Sequence, residues 1–245
     1  MLRDSRKDKL YFNEYLGFYS SQINRVNDAL ENIIDQRGID DKGIQSGFVS
    51  LNVFYFNKLI AMYSAGYPIV EIKGFLPEVI DNMEKAWRPS VVRSYDYYLK
   101  CVWMLSIGTM LEIDKDLMNR IRKLGSTYHN QDVLVDFLLD RRIETLDPEF
   151  FLDEPYAKLW DVLTSSDMSN QLDKLKEYLK NDWYDGHREA GWHDTHRKDD
   201  YVYRGYWSFE SGAIVKILGL DDSSLKNVPY YPYDMVHYKE TTEGA

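Results

Sequence analysis

Residues 8–37 read DKLYFNEYLGFYSSQINRVNDALENIIDQR. Within them Tyr11, Tyr15, Phe18, Tyr19, Ile23, Val26, Leu30, Ile33 and Ile34 recur at intervals of three and four. That spacing lays the apolar groups along one face of a 3.6-residue helix, so the stretch predicts one long amphipathic helix. Gly38 is placed to end it, and Asp40-Asp41-Lys42-Gly43 is a polar turn.

The same period continues outward. Phe48, Leu51, Tyr55, Leu59, Met62 and Tyr63 predict a second helix closed by Gly66. Pro68 suits a helix start, and Ile69, Ile72, Leu76, Val79, Ile80, Met83 and Trp87 carry a third that Pro77 should kink or divide. A fourth covers about 97–111, and Asp114 can cap a fifth that ends near Leu124. Further helices are expected at about 131–142, 155–164 and 168–183, then from Trp207 to Leu218 with Gly219 as the stop, and a short turn over Asp221–Lys226. No sustained period-two run and no Asn-Gly hairpin signal occurs. The expected fold is all-α, a multi-helix bundle of two packed helical domains or layers. The boundary is expected between Gly125-Ser126 and Asn130-Gln131, giving an N-terminal domain of 1–125 and a C-terminal, acidic, aromatic-rich domain of 126–245.

Charge supports that boundary. Residues 1–125 hold 17 Lys+Arg against 16 Asp+Glu, whereas residues 126–245 hold 13 against 24. The whole of the net −10 therefore sits in the second half. Such a field repels nucleic acid and attracts basic partners. No run of about 18 apolar residues is present, so no membrane span is expected. The start, Met1-Leu-Arg-Asp-Ser-Arg-Lys-Asp-Lys, lacks the apolar region of a secretory signal. Cys101 stands alone in an apolar helical pattern and reads as a small buried residue. These features predict a cytoplasmic protein.

Catalytic signatures are thin. His187, His193 and His196, with Asp185 and Asp194 nearby, could be read as a metal site of a hydrolase. They match neither His-Glu-x-x-His nor the paired Glu-x-x-His of di-iron bundles, and the glycines and rings around them favour a hydrogen-bonded loop. There is no Gly-x-Ser-x-Gly elbow and no phosphate-cradling glycine loop. Glu210, between Phe209 and Ser211, reads as a core carboxylate paired with Arg188, Arg204 or a tyrosine hydroxyl. The chain is therefore expected to be no enzyme and to need no cofactor or metal.

Residues 183–238 hold 12 of the chain's Trp, Tyr and Phe residues together with four of its five histidines. Gly186-His187, Gly191-Trp192, His196, Gly205-Tyr206-Trp207-Ser208-Phe209-Glu210, Ala213, Leu218-Gly219-Leu220-Asp221-Asp222 and Tyr230-Tyr231-Pro232-Tyr233-Asp234 form one motif set. Ser64-Ala65-Gly66-Tyr67-Pro68, Phe75-Leu76-Pro77, Trp103 to Gly108 and Leu111 to Asp114 form another. In order and over nearly the whole chain these resemble the C- and N-terminal domains of the PoNi family of immunity proteins. Tyr238 stands where that family's pattern leads one to expect Trp. The resemblance implies an α-helical protein that binds and neutralises a cognate DNase toxin delivered between competing bacteria. The toxins of this pairing resemble the PD-(D/E)xK nucleases and are basic where they meet DNA. The resemblance carries no catalytic residue to this chain, no direct nucleic-acid binding and no membrane role. It implies that the shared motifs, including Trp192, Tyr206, Trp207, Phe209, Glu210, Tyr231, Pro232 and Asp234, maintain the fold, and of these Trp192, Trp207, Phe209 and Tyr231 are expected in the core.

The docking surface is sought in the acidic stretch Asp132–Asp200, which carries 18 Asp+Glu against 9 Lys+Arg. Asp147-Pro148-Glu149-Phe150-Phe151-Leu152-Asp153-Glu154 combines four carboxylates with two phenylalanines and a helix-disfavouring proline. Asp147, Glu149, Phe150, Asp153 and Glu154 are the first candidates for contact, and Asp185, Glu189 and Asp194 the second.

Overall fold

The computed structural model describes residues 1–143, 145 and 147–239, and among these the chain is helical with no strand. The chain divides into two compact units. One comprises Met1–Pro89 with Asp194–Gly205, and the other Ser90–His193 with the chain from Tyr206 onward.

The first unit is built on α1 (Lys9–Arg37), α2 (Lys42–Ser64) and α3 (Ile69–Ala86). Asp8 caps α1 by accepting from Tyr11 N at 2.8 Å, and Gly38, at φ 83°, closes it by donating to Ile34 O. α2 lies so close to α1 that a Cβ on Gly47 would stand 2.5 Å from a Leu30 methyl. α3 continues through Pro77 as one helix rather than two. The N-terminal segment is tied to the end of α2: Arg3 N and Asp4 N both donate to Ser64 O, and the backbone at Gly66 leaves no room for a Cβ beside Met1 O. The segment 194–205 completes this unit. Tyr203 N donates to Tyr11 Oη at 2.9 Å, Tyr203 Oη donates to the buried Asp4, Arg204 donates to Asn57, and Ser64 Oγ donates to Arg204 O at 2.7 Å.

The second unit is organised around α4 (Tyr95–Met110), every residue of which from Tyr97 onward is buried. α5 (Lys115–Gly125) is capped by Asp114, which accepts from Leu117 N, and α6 (Val133–Asp140) by Asp132. Short turns follow at α7 (Asp153–Tyr156) and α8 (Trp160–Thr164), so the helix expected at 155–164 is broken. The stretch expected as one helix over 168–183 is α9 (Met168–Glu177), then a five-residue π turn at Tyr178–Asp182, then α10 (Trp183–Gly186). α11 (Phe209–Leu218) packs on α4, ends at the left-handed Gly219, and meets α12 (Tyr233–Val236). At that junction a Cβ on Gly212 would stand 2.4 Å from Met110 Sδ and 2.8 Å from Pro232 Cγ. Cys101 is buried on α4, and burial pushes its thiol pKa well up. Among the described residues no helix is long and apolar enough to cross a membrane.

Candidate functional site

The site lies in the second unit and begins with a buried carboxylate. Asp132 is 1% exposed, yet it takes three hydrogen bonds. Oδ1 accepts from Val135 N at 2.7 Å, as an N-cap, while Oδ2 accepts from Tyr98 Oη and from Phe151 N, both at 2.8 Å. Burial raises its pKa, and the donors pull it back. Glu149 O accepts from Val133 N at 2.9 Å. Together these bonds fasten the acidic loop 147–152 to the start of α6. Phe151 then stacks on Tyr98, with ring centres 4.8 Å apart, and meets Tyr128 edge-on. Of the two loop phenylalanines, Phe151 is thus a plug, and Phe150 is half-buried beside it.

Beyond the plug the chain turns at Pro155, which packs on Gly186 so tightly that a Cβ there would come within 2.6 Å of the proline ring. This contact brings two distant acidic segments together. Phe151, Leu152, Asp153 and Glu154 form one wall of a cleft of ≈ 580 Å³, and Asn181, Asp182, Asp185, Gly186, Arg188 and Glu189 form the other, with Tyr95 between. Five carboxylates line it, and among the described lining residues Arg188 is the one cation. Asp182, at the end of the π turn Tyr178–Asp182, and Asp185 and Glu189, three and seven residues further on, share the cleft.

Tyr95 links the cleft to an enclosed aromatic cage. Its hydroxyl is hydrogen-bonded to His187 Nδ1 at 2.7 Å. His187 has no exposed surface and is ringed by Trp183, Trp192 and Tyr156 at centroid distances of 5.1, 5.1 and 5.5 Å. Burial lowers its pKa to about 3, with His193 adding a smaller push in the same direction, so the ring is neutral at physiological pH. Its Nε2 is buried without a hydrogen-bond partner. Behind the cage sits Glu210, also fully buried. Its Oε1 accepts from Tyr178 Oη at 3.0 Å and from Ser208 Oγ at 2.5 Å, and burial raises its pKa to about 6. The partner is thus a tyrosine hydroxyl, not Arg188 or Arg204.

The sequence-derived candidates separate cleanly. Asp153, Glu154, Asp185 and Glu189, expected as alternatives on two segments, line one cleft. Asp147 and Glu149 are exposed on the loop that leads to it, and Asp194 falls in the other compact unit. Asp182, Tyr95 and Asp132 were not singled out from sequence; an N-cap pattern at Asp132 was the one available signal. The hydrolase reading does not assemble. His193 stacks on Tyr184 at 4.2 Å, His196 belongs to the other unit, and among the described residues no group of three His, Cys, Asp or Glu is placed to hold a metal ion. Of the motif residues, Trp192, Tyr206, Phe209, Glu210, Tyr231 and Pro232 are buried, and Tyr231 Oη donates to Asp222 at 2.5 Å. Trp207, expected in the core, is half-buried, and Asp234 is exposed.

The arrangement offers a fixed, negatively charged, aromatic-floored recess. Two family models match the chain: PoNe immunity protein (PoNi), N-terminal, over residues 3–123, and PoNe immunity proteins (PoNi), C-terminal, over residues 130–235. The fold is similar to that in the crystal structure of protein PA2201 from Pseudomonas aeruginosa, at a TM-score of 0.65 and 17% identity, covering 97% of this chain and 98% of that one. No curated protein matches the chain in sequence.

Proposed function

We propose that this chain, which belongs to the PoNe immunity protein (PoNi) family, binds a cognate DNase toxin in the cytoplasm and neutralises it by covering its DNA-binding or active-site face. The observation that carries this reading is the match of both family models, which together span residues 3–123 and 130–235. The toxin would be a basic nuclease domain of the PD-(D/E)xK kind, delivered by a bacterial secretion system between competing cells.

The acidic cleft supports the reading in physical terms. A nuclease must present Lys and Arg to phosphates, and an inhibitor that presents carboxylates competes for the same groups. Complementary fields raise association rates by roughly 10–10³-fold at low salt. Rim charges alone set on-rate more than affinity, so a desolvated anchor is also needed. Tyr95 and Phe151 at the cleft, and half-buried Phe150 beside it, provide apolar surface for one. The chain supplies no chemistry; occlusion suffices.

The test uses a purified PoNe-type nuclease domain as the candidate toxin. Mixed with it in equimolar amounts, the purified protein should form a stable complex and stop DNA cleavage, and its expression should protect cells that produce the toxin. Cleavage that continues at ten-fold excess of this protein would overturn the reading.

A further inference from the structure

The Phe151–Glu154 wall of the cleft does not set its own shape. Leu152 and Glu154 have extended backbone, at φ −126°, ψ 108° and φ −96°, ψ 128°, so helical bonding does not fix Asp153 between them. Asp153 and Glu154 are exposed, whereas Phe151 before them is half-buried and Pro155 after them is buried. The segment is held at its two ends, by residues distant in the chain.

At the first end the anchor is Asp132. Capping α6 occupies one of its oxygens, Oδ1, on Val135 N. An exposed Asp, Asn, Ser or Thr would cap as well, and burying a carboxylate to 1% exposure costs desolvation free energy that a cap alone does not require. The second oxygen accounts for the burial. Oδ2 accepts from Phe151 N, 19 residues along the chain, at 2.8 Å, and from Tyr98 Oη at the same distance. Phe151 N is the backbone donor at which the wall begins.

At the second end the anchor is Gly186. A Cβ there would stand 2.6 Å from Pro155 Cβ, 2.9 Å from Pro155 Cα and 3.0 Å from Pro155 N. Two of these atoms are backbone, so no change of rotamer would relieve the contact, and the chain at Pro155 would have to move. Gly186 shares the short helix α10 with Asp185. Its bare backbone lets the end of one wall seat directly against the element that carries a carboxylate of the other.

We infer that Asp132 and Gly186 are positioning residues for toxin capture: they pin the two ends of the Phe151–Glu154 wall, so that Asp153 and Glu154 face Asp185 and Glu189 at a set separation before the toxin arrives. This rests on the toxin-binding function proposed above. A loose wall would have to be ordered on binding, and affinity would fall with the fraction of time it spends in the competent arrangement. Neither residue needs to touch the toxin.

Asp132→Asn and Gly186→Ala test the two anchors independently. Asn caps a helix as well as Asp does, but it presents an amide group where Phe151 N and Tyr98 Oη require an acceptor. Ala adds the Cβ that Pro155 excludes. In each folded variant, amide hydrogen exchange across 150–154 should quicken at least ten-fold, beyond any change in α4 and α11. Affinity for a purified, catalytically inactivated PoNe-type nuclease domain should fall at least ten-fold. Its salt dependence should stay as in wild type, because every carboxylate lining the cleft remains. Val215→Ala, a buried truncation on α11, controls for stability alone: it should lower the melting temperature and leave both exchange at 150–154 and affinity at wild type. Wild-type exchange at 150–154 in both variants overturns the anchoring. An effect in one variant only assigns the role to that residue and overturns it for the other. Faster exchange with wild-type affinity overturns the positioning role and leaves the functional reading intact. A wild-type protein that fails to bind the nuclease overturns the functional reading, and this role with it, even where exchange shows the wall to be anchored.

Discussion

The Tyr95 hydroxyl and His187 Nδ1 lie 2.7 Å apart, so the residue that floors the acidic cleft is also the one that holds a histidine in the sealed aromatic cage. The surface proposed for docking and the packing of the second unit are therefore joined through a hydrogen bond. A buried imidazole that loses its partner costs about 1–3 kcal/mol.

Stability should follow pH through His187. Its pKa is about 3 in the fold and 6.5 when unfolded, so below pH 6.5 the unfolded chain takes a proton that the folded chain refuses. Stability from this group is complete above pH 6.5 and is lost as pH falls toward 3, at about 1.4 kcal/mol per unit. His187→Phe, which keeps a ring in the cage, should flatten that acid limb in urea denaturation measured from pH 4 to 7. A limb as steep as wild type would place the loss elsewhere.

Glu210 works in the opposite direction. Its pKa is raised from 4.5 to about 6, so its contribution is fully present below pH 4.5 and is lost as pH rises through 6. Glu210→Gln should therefore stabilise the protein by about 2 kcal/mol at pH 8 and by nothing at pH 4. Between pH 4.5 and 6 the slopes of Glu210 and His187 offset one another. Removing the glutamate should expose a steeper acid loss there, and no change in slope would rule out ionisation of Glu210 as the opposing effect.

Charge reversal separates steering from anchoring. Asp153, Glu154, Asp185 and Glu189 replaced together by Lys should slow association with the toxin and remove most of its dependence on salt. The melting temperature should move by no more than a few degrees, because all four are exposed. Unchanged association kinetics at low salt would exclude the cleft as the docking site.

Two neighbouring aromatics should behave differently. Phe209 is buried against Trp103, whereas Trp207 is half-buried. Phe209→Ala should cost about 3–5 kcal/mol, and Trp207→Ala clearly less. Equal losses in thermal denaturation would show that Trp207 is energetically part of the core.

Much of this fold was readable because helices are local. The three- and four-residue spacing from Tyr11 to Ile34 predicts α1, and Asp114, Gly38 and Gly219 mark helix ends where capping chemistry requires them. The irregularities were not readable. Nothing in residues 168–183 signals that the ladder slips by one residue at Tyr178, because the π turn is imposed by packing on the core rather than by propensity. The cleft was half readable. Its acids stand out by composition on two segments, but only the Pro155–Gly186 contact, across some thirty residues, joins them. Long-range contacts of this kind leave no periodic trace. Tyr95 and Asp132 were hidden for the same reason, since their importance lies in partners far along the chain.

The strap formed by residues 194–205 has a consequence for how the protein is made. Asp4, Tyr11, Asn57 and Ser64 leave the ribosome well before their partners Tyr203 and Arg204, which lie 140 to 199 residues further along the chain. During synthesis α1, α2 and α3 must wait, able to stack on one another but with Asp4 paired to Arg6 alone, until more than a hundred further residues have been added. A nascent chain halted before Tyr203 would hold its first three helices together without their final fastening. Completion of the unit is thus timed by the synthesis of Tyr203 and Arg204 rather than by that of its three helices.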